Sequence, residues 1–415
     1  MQNGFAFIPV ASSLVQTRAE LEQLAGDYLQ ALTELGGTEL DPGKLDTAQP
    51  LVYFIATGGT EGTLLKLWEE RNRTIPGEPV ILLTHPGHNS LPAGLELLAR
   101  LQQAGTAGRI IYLDGCDSIH HHRQLKEMVH ALHTQRALAA ARIGLIGTAS
   151  DWLVASSPST ETVSARWGPV VVPVAMEECL QEIHSIDSQT VQLESADPRR
   201  SADAILEPTG HDLDDVTRVY LALTNLVARY NLTALSLRCF DFVEELKTTG
   251  CYALARLNEE GIMAGCEGDL VSTIGMLWAY HFLKQTPWMA NPAQLNVEAN
   301  TLTLAHCTVP RTLVNHHTLR THFESGLGVG IQGDFPPGPV TLFRIGGQAL
   351  DQLWTAEGGI TTAGHAENLC RTQIEVQLSH GKVRDLLETP LGNHLILVNG
   401  HHAQRLHAWA ALMIS

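Results

Sequence analysis

Two consecutive stretches decide the fold: PLVYFIATGGTEGTLLKLWEERN (Pro50–Asn72) and PVILLTHPGHNSLPAGLELLARLQQAG (Pro79–Gly105). Each begins with a short apolar run, passes through a turn that contains glycine, and continues into a segment whose apolar residues have helical spacing. Repeats of strand, turn and helix are typical of parallel sheets, because a parallel pair of strands needs a crossover connection. The pattern therefore predicts an α/β fold built on a doubly wound parallel sheet.

The same alternation extends in both directions along the chain. FAFIPVASS (5–13) comes before the first stretch as a strand, and GRIIYLDG (108–115) and ARIGLIGTASDWL (141–153) follow as further strands with a helical segment between them. We expect these elements to form an N-terminal Rossmann-like domain over residues 1–165. The turn ATGGTEG (56–62) matches neither of the nucleotide-binding motifs G-x-x-x-x-G-K-[ST] and G-x-G-x-x-G. A structural turn and an anion-binding or substrate-binding loop remain as open alternatives.

Two further parts follow the first domain. A second α/β block begins near WGPVVVPV (167–174), and we expect a central α/β domain over residues 166–300. After about residue 300 the chain consists of short strand-like runs punctuated by glycine and proline. This texture predicts an antiparallel, β-barrel-like domain over residues 301–415, with HHAQRLHAWAALMIS (401–415) as a closing helix.

The composition narrows the class of protein. The chain has 415 residues, of which 44% are hydrophobic, and a formal net charge of −17, which argues against nucleic acid or an anionic membrane as a partner. It contains no apolar run near the roughly 20 residues of a membrane span and no basic leader, so we expect a cytoplasmic location. Seven widely spaced cysteines without a C-x-x-C motif indicate reduced thiols.

The stretch GCEGDL (265–270) carries the strongest chemical signal. Glu267 and Asp269 stand where an apolar strand gives way to a helical pattern that starts at Leu270. Asp269 can cap that helix, which accounts for one of the two acids without any function. Glu267 is left over, and a carboxylate at the end of a strand can bind a cation or act as a base.

Three more donors stand at or near the ends of apolar elements. Asn291 follows an apolar run in WMANP, His306 ends the period-2 strand LTLAH, and His394 precedes the strand LILVN. A single histidine on a strand is more often a core residue than a ligand. Together with Glu267, however, these oxygen and imidazole donors suit Mn²⁺ or another divalent cation, provided that the fold brings them together.

These residues resemble a known family. ALARLNEEGIMAGCEGDLVSTIGMLWAYHFLKQTPWMANP (253–292) with NTLTLAHCTVP (300–310) is similar to the L-fucose isomerase and L-arabinose isomerase superfamily, above all to its shorter fucose-isomerase-like members. The resemblance implies that Glu267 binds Mn²⁺ and faces the substrate, and that His306 and His394 are further metal ligands. It also implies a homo-oligomer.

Asn291 is the main departure from that family. It stands 24 residues after Glu267, where fucose isomerases have a second acid. Its amide oxygen can coordinate a metal, but an amide cannot act as a base. We therefore expect either that Glu267 is the sole catalytic base with help from Asp269 or a histidine, or that the reaction has changed. In both cases we expect Asn291 to serve as a metal ligand.

The resemblance implies a metal-dependent aldose–ketose isomerase, an intramolecular oxidoreductase that acts on an open-chain sugar by enediol proton transfer. The alternatives are a lyase or epimerase on a related sugar or sugar acid, and a non-catalytic sugar-binding protein of the same fold. We expect four residues to contact the small-molecule sugar: Arg238, Trp288, His322 and Glu324.

Overall fold

The computed structural model describes residues 4–116 and 119–413. The chain divides into two compact units, one formed by Met1–Arg136 with Ala408–Ser415 and the other by Ala137–His407. Within the described ranges, no helix is both long enough and apolar enough to cross a membrane. The predicted α/β fold with parallel sheets and a C-terminal antiparallel barrel is confirmed.

The first unit contains a five-stranded parallel sheet with the strand order β2-β1-β3-β4-β5. Its elements are β1 (Phe5–Val10), α1 (Arg18–Glu34), β2 (Gly37–Glu39), β3 (Leu51–Ile55), α2 (Glu61–Thr74), β4 (Val80–Thr84), α3 (Ser90–Gln103), β5 (Gly108–Tyr112) and most of α4 (Ile119–Ala140). Along β3, Val52 and Phe54 belong to one hydrophobic core and Tyr53 and Ile55 to another. Both faces of the sheet are therefore covered, which explains its continuous apolar strands.

The ATGGTEG turn between β3 and α2 has structural constraints of its own. The Gly58 amide donates a hydrogen bond of 2.7 Å to the carbonyl of His88. A side chain at Gly58 would begin 2.7 Å from Cβ of Asn89, so the two turns pack too closely for any residue other than glycine. These contacts support the reading of this segment as a structural turn.

The second unit begins with another α/β layer. Its elements are β6 (Arg142–Ile146), α5 (Thr160–Trp167), β7 (Val170–Val174), α6 (Met176–Ser185), α7 (Ser188–Glu194), α8 (Ala196–Ser201), β8 (Ala204–Ile205), α9 (Gly210–Tyr230), β9 (Ala234–Leu237), α10 (Phe240–Glu245), α11 (Cys251–Glu259), β10 (Met263–Cys266) and α12 (Leu270–Leu283). Four strands form a parallel sheet in the order β10-β9-β6-β7. We expected β6 in the first sheet, but it pairs with β7 and β9, because an apolar run specifies a strand and not its partner.

An antiparallel barrel completes the second unit. The remaining elements are β11 (Trp288–Asn296), β12 (Thr301–His306), a 3₁₀ turn (Arg311–Leu313), β13 (His316–Arg320), β14 (Gly330–Asp334), β15 (Gly338–Gly346), β16 (Gln352–Ala363), β17 (Thr372–His380), α13 (Asp385–Glu388), β18 (Leu395–Asn399) and α14 (Ala403–Met413), which extends into the first unit. Six strands close in the order β11-β12-β17-β16-β15-β18, while β8, β13 and β14 form a small separate sheet. The barrel thus includes a strand before residue 301, and the division at residues 165 and 300 stays a prediction.

Helix α12 lies between the second sheet and the barrel. A side chain at Gly265 of β10 would begin 2.2 Å from Oγ1 of Thr273, and one at Gly275 would begin 3.3 Å from Ile396 of β18. Because the helix is packed on both sides, nearly all of its residues are buried, in agreement with its uniformly apolar sequence. The turn that precedes α12 is thereby held between the sheet and the barrel.

Candidate active site

A cavity of about 540 Å³ opens at the carboxyl ends of β6, β9 and β10. It is lined by Trp152, Cys239, Phe240, Cys251, Cys266, Glu267, Asn291, Pro292, His306, Cys307, His322, Phe323, Glu324, Cys370 and Asn393. In this sheet β7 lies on one side of β6, and the later strands β9 and β10 lie on its other side. The cavity is therefore at the point where the chain reverses the direction in which it adds strands to the parallel sheet. Ligands of open α/β sheets bind at this position.

Glu267 occupies a tight turn with an unusual backbone conformation. Its φ is +63° and that of Gly268 is +71°, so two consecutive residues are left-handed. A side chain at Gly268 would begin 2.4 Å from the carbonyl oxygen of Thr148, which explains the glycine. The amide of Ser150 donates a hydrogen bond of 2.8 Å to the Glu267 carbonyl. The left-handed conformation costs a non-glycine residue about 1–2 kcal/mol, and here it directs a carboxylate into the cavity.

An aromatic side chain fixes one oxygen of this carboxylate. The indole Nε1 of Trp152 donates a hydrogen bond of 2.6 Å to Oε2 of Glu267. The Trp152 ring meets Phe240 edge to face at 5.0 Å, and Phe240 meets His322 in the same way at 5.7 Å. The other oxygen, Oε1, lies 3.8 Å from Nε2 of His394. Glu267 therefore has one oxygen held by an indole and one oxygen available for chemistry.

Asp269 forms a buried ionic network behind the cavity. It caps α12 by accepting a hydrogen bond of 2.8 Å from the Ser272 amide, and its Oδ2 lies 3.1 Å from Nη1 of Arg344 and 2.9 Å from Nδ1 of His394. Burial alone would raise the pKa of Asp269, but the Arg344 charge and the His394 hydrogen bond outweigh it and lower this pKa below its ordinary value.

The ionised carboxylate determines the tautomer of His394. Because the Asp269 carboxylate can only accept, Nδ1 of His394 carries a proton, and in the neutral ring the lone pair is on Nε2. A carboxylate that orients a histidine in this manner is typical of metal ligands. Asp269 does not line the cavity, so it could help Glu267 only through its contact with His394.

Two adjacent barrel strands supply the remaining donors. Asn291 of β11 pairs with Ala305 of β12, which places it next to His306. Burial lowers the pKa of His306 to about 3, so its ring is neutral at pH 7, and its Nδ1 forms a hydrogen bond of 2.8 Å with Thr308. Among the residues that the structure describes, the buried atoms Oδ1 of Asn291 and Nε2 of His394 have no hydrogen-bond partner.

These four residues offer the types of donor that a divalent cation takes. In the described part of the chain, however, no three His, Cys, Asp or Glu side chains, Glu267, His306 and His394 included, stand close enough together to hold a metal ion. The ring centres of His306 and His394 lie 5.6 Å apart. A buried polar atom without a partner costs about 1–3 kcal/mol, and a metal would satisfy Asn291 and His394 at once. Glu267, Asn291, His306 and His394 would hold Mn²⁺ or a similar ion only if these side chains moved closer together than they stand here.

The residues expected to contact the substrate divide into two groups. His322 and Glu324 line the cavity, with Glu324 exposed at its rim. Arg238 does not line it, because its guanidinium is paired with Asp241 at 3.0 Å and Asp151 at 3.2 Å. The position of Arg238 therefore fits a structural ion pair better than substrate binding.

Trp288 requires a correction. It is fully buried and packs in the barrel core, where its ring lies 5.0 Å from that of Phe335. It belongs to the same strand as Asn291 but does not line the cavity. Since the side chains of a strand alternate between its two faces, a residue near a site on the same strand need not reach it.

Several cavity residues were not among the predicted site residues. Trp152 follows β6 in a strand-end turn, and this position could have marked it as a candidate. The thiols could not be found in this way, because five cysteines from distant segments converge on the cavity only in the fold: Cys239, Cys251, Cys266, Cys307 and Cys370. All seven cysteines of the chain are free.

Comparison with known proteins finds distant relatives that are named as sugar isomerases. No known family model matches the chain. It is similar to the sulfoquinovose isomerases of Priestia aryabhattai and Priestia megaterium, each 22% identical over 231 residues, which cover 54% of this chain and 51% of the relative. A sulfoquinovose isomerase of a Clostridium species is 30% identical over 163 residues, or 37% of this chain and 36% of the relative. The chain thus matches about half or less of the length of these curated relatives.

Proposed function

We propose that this chain is a divalent-metal-dependent aldose–ketose isomerase that acts on an open-chain sugar. The observation that carries the proposal is the pair of buried, unpartnered donor atoms, Oδ1 of Asn291 and Nε2 of His394, beside the Glu267 carboxylate. The names of the distant relatives support a sugar isomerase in general terms. The resemblance to fucose and arabinose isomerases supports the same reaction type.

Glu267 would move the proton. Isomerisation needs a group that takes a proton from C2 of the sugar and returns it to C1. Oε2 of Glu267 is held by Trp152, so Oε1 is the atom free to carry that proton. A divalent cation held by Asn291, His306 and His394 would polarise the oxygens on C1 and C2. The aromatic rings of Phe240 and Phe323 would exclude water from one wall.

Turnover in the presence and absence of metal tests the proposal. The purified protein is stripped with a chelator, supplied with Mn²⁺, and assayed for ketose formation with a panel of aldoses that includes sulfoquinovose. We expect ketose only with the metal present. Metal and sugar binding without turnover would favour a sugar-binding protein, and release of a smaller fragment or an epimer would favour the lyase or epimerase alternative.

Asn291→Asp is expected to strengthen metal binding. A carboxylate in place of the amide adds a negative charge to the donor set, so we expect the Kd for Mn²⁺ to fall by about tenfold, roughly 1.4 kcal/mol. The matched control is Asn393→Asp, which introduces the same change on the rim of the same cavity. Calorimetric titration of both proteins with Mn²⁺ checks the expectation, and equal affinities would remove Asn291 from the set of ligands.

Trp152→Phe is expected to impair turnover more than folding. The substitution keeps an aromatic ring against Phe240 but removes the hydrogen bond to ionised Glu267, and such bonds contribute about 1.5–3 kcal/mol. We therefore expect kcat/KM to fall by at least tenfold, with most of the loss in kcat. Trp68→Phe in α2 of the first unit is the control. A change of less than twofold for Trp152→Phe would mean that Glu267 does not depend on the indole.

A further inference from the structure

Two of the five cavity thiols are already in contact. Sγ of Cys239 lies 3.0 Å from Sγ of Cys266, and both side chains line the cavity. The two residues stand at the carboxyl ends of the neighbouring parallel strands β9 and β10, where Leu237 and Cys266 are paired in register. The sulfurs are therefore positioned by two rigid strands, and a small molecule in the cavity can reach both of them.

We propose that Cys239 and Cys266 form a reversible oxidation site that responds to a peroxide. In the first step one sulfur attacks the peroxide oxygen to give a sulfenic acid, and one water molecule leaves when the peroxide is hydrogen peroxide. The second sulfur then displaces the sulfenic hydroxyl as another water molecule and forms the S–S bond. Two thiols lose two electrons and two protons in all, and one hydrogen peroxide molecule is reduced to two waters.

The geometry requires only a short movement. A disulfide has an S–S distance of about 2.05 Å, so the two sulfurs need to approach each other by about 1 Å. The strands themselves are held by the sheet, and the movement must be absorbed at their carboxyl ends. These ends carry the supports of Glu267.

Two contacts that hold Glu267 in place involve residues of this cysteine pair or their direct neighbours. Cys266 directly precedes Glu267, whose left-handed turn is closed by a hydrogen bond of 3.1 Å from the Asp269 amide to the Cys266 carbonyl. Cys239 directly precedes Phe240, whose ring contacts the Trp152 indole that holds the carboxylate. A displacement of about 1 Å at a catalytic group can reduce turnover by up to a hundredfold. Oxidation is thus expected to slow the proposed isomerase by at least tenfold.

Intact-mass and peptide analysis test the site without any need for an activity. The wild-type protein is treated with hydrogen peroxide, and we expect it to lose the mass of two hydrogen atoms, to yield a peptide cross-linked between Cys239 and Cys266, and to recover on reduction with dithiothreitol. Cys239→Ser and Cys266→Ser should not form this cross-link. Cys179→Ser, which removes a buried thiol in α6 outside the cavity, should still form it.

Other outcomes would overturn the proposal. No loss of mass in the wild-type protein would do so, and so would cross-links confined to the other cavity thiols Cys251, Cys307 and Cys370. A cross-link between Cys239 and Cys266 that leaves turnover unchanged would overturn the expectation that oxidation slows turnover. Since the mass measurement does not need turnover, failure of the isomerase assignment remains distinguishable from failure of the thiol site.

Discussion

Glu267→Gln is expected to lower kcat/KM by about 10²–10⁴-fold, which is the range for removal of a general base. Glutamine keeps the length of the side chain and can still meet Trp152, but it cannot accept the proton from C2. The Mn²⁺ affinity should fall as well, so turnover is measured at saturating metal. The free energy of unfolding should change little, because the side chain is not part of a buried ion pair with arginine or lysine.

The control for this experiment is Glu298→Gln. Glu298 is exposed in the turn between β11 and β12, and its substitution changes the net charge by the same amount. We expect that protein to keep the kcat/KM of the wild type. If Glu267→Gln retained more than about a tenth of the wild-type kcat/KM, well above the expected range for loss of a base, another group would have to carry the proton.

Asp269→Asn is expected to destabilise the folded protein strongly. Asp269 is completely buried, and its charge partner Arg344 is only 1% exposed. The substitution can preserve the helix cap but leaves the guanidinium without its counter-charge, and loss of one partner of a buried pair typically costs about 3–5 kcal/mol. Urea denaturation at pH 7 measures this difference. In addition, His394 loses the carboxylate that fixes its tautomer, so Mn²⁺ affinity should fall by about 10–100-fold.

The loss of stability caused by Asp269→Asn should depend on pH. The pKa of Asp269 is lower in the folded state than the ordinary value of about 3.9. Its stabilising contribution is therefore fully present above about pH 4 and is lost as the pH falls through the lower, folded-state pKa. The difference in the free energy of unfolding between the wild type and Asp269→Asn should narrow only in that acidic range.

Arg384→Met breaks an exposed pair with Glu388 and should change the free energy of unfolding by less than about 1 kcal/mol.

Much of the fold can be predicted from local patterns. Continuous apolar runs such as VILLT in β4 indicate buried parallel strands, and the alternation in TLTLAH indicates a half-buried strand of β12. The sheet to which β6 belongs could not be predicted in the same way, because strand pairing depends on contacts between distant segments. The start of the barrel at Trp288 was missed for the same reason.

Some residues of the candidate site could likewise be predicted from the sequence, and others could not. Glu267 and His306 stand at the ends of strands, and His394 directly precedes one, so sequence alone could nominate them. Trp288 was predicted to contact the sugar, yet it lies in the barrel core. The convergence of the five thiols could not be predicted, because free cysteines that are far apart in sequence carry no spacing rule. A homo-oligomer stays a prediction.

The left-handed backbone of Glu267 has a consequence for the history of this protein. Glycine adopts φ near +63° without steric cost, whereas glutamate does not, so the backbone conformation at this position favours glycine. Under the proposed function, the carboxylate is therefore retained against this backbone preference. In a lineage that no longer used the reaction, position 267 should be among the first to drift, and a Gly-Gly pair at positions 267 and 268 would mark descendants that kept the fold after giving up catalysis.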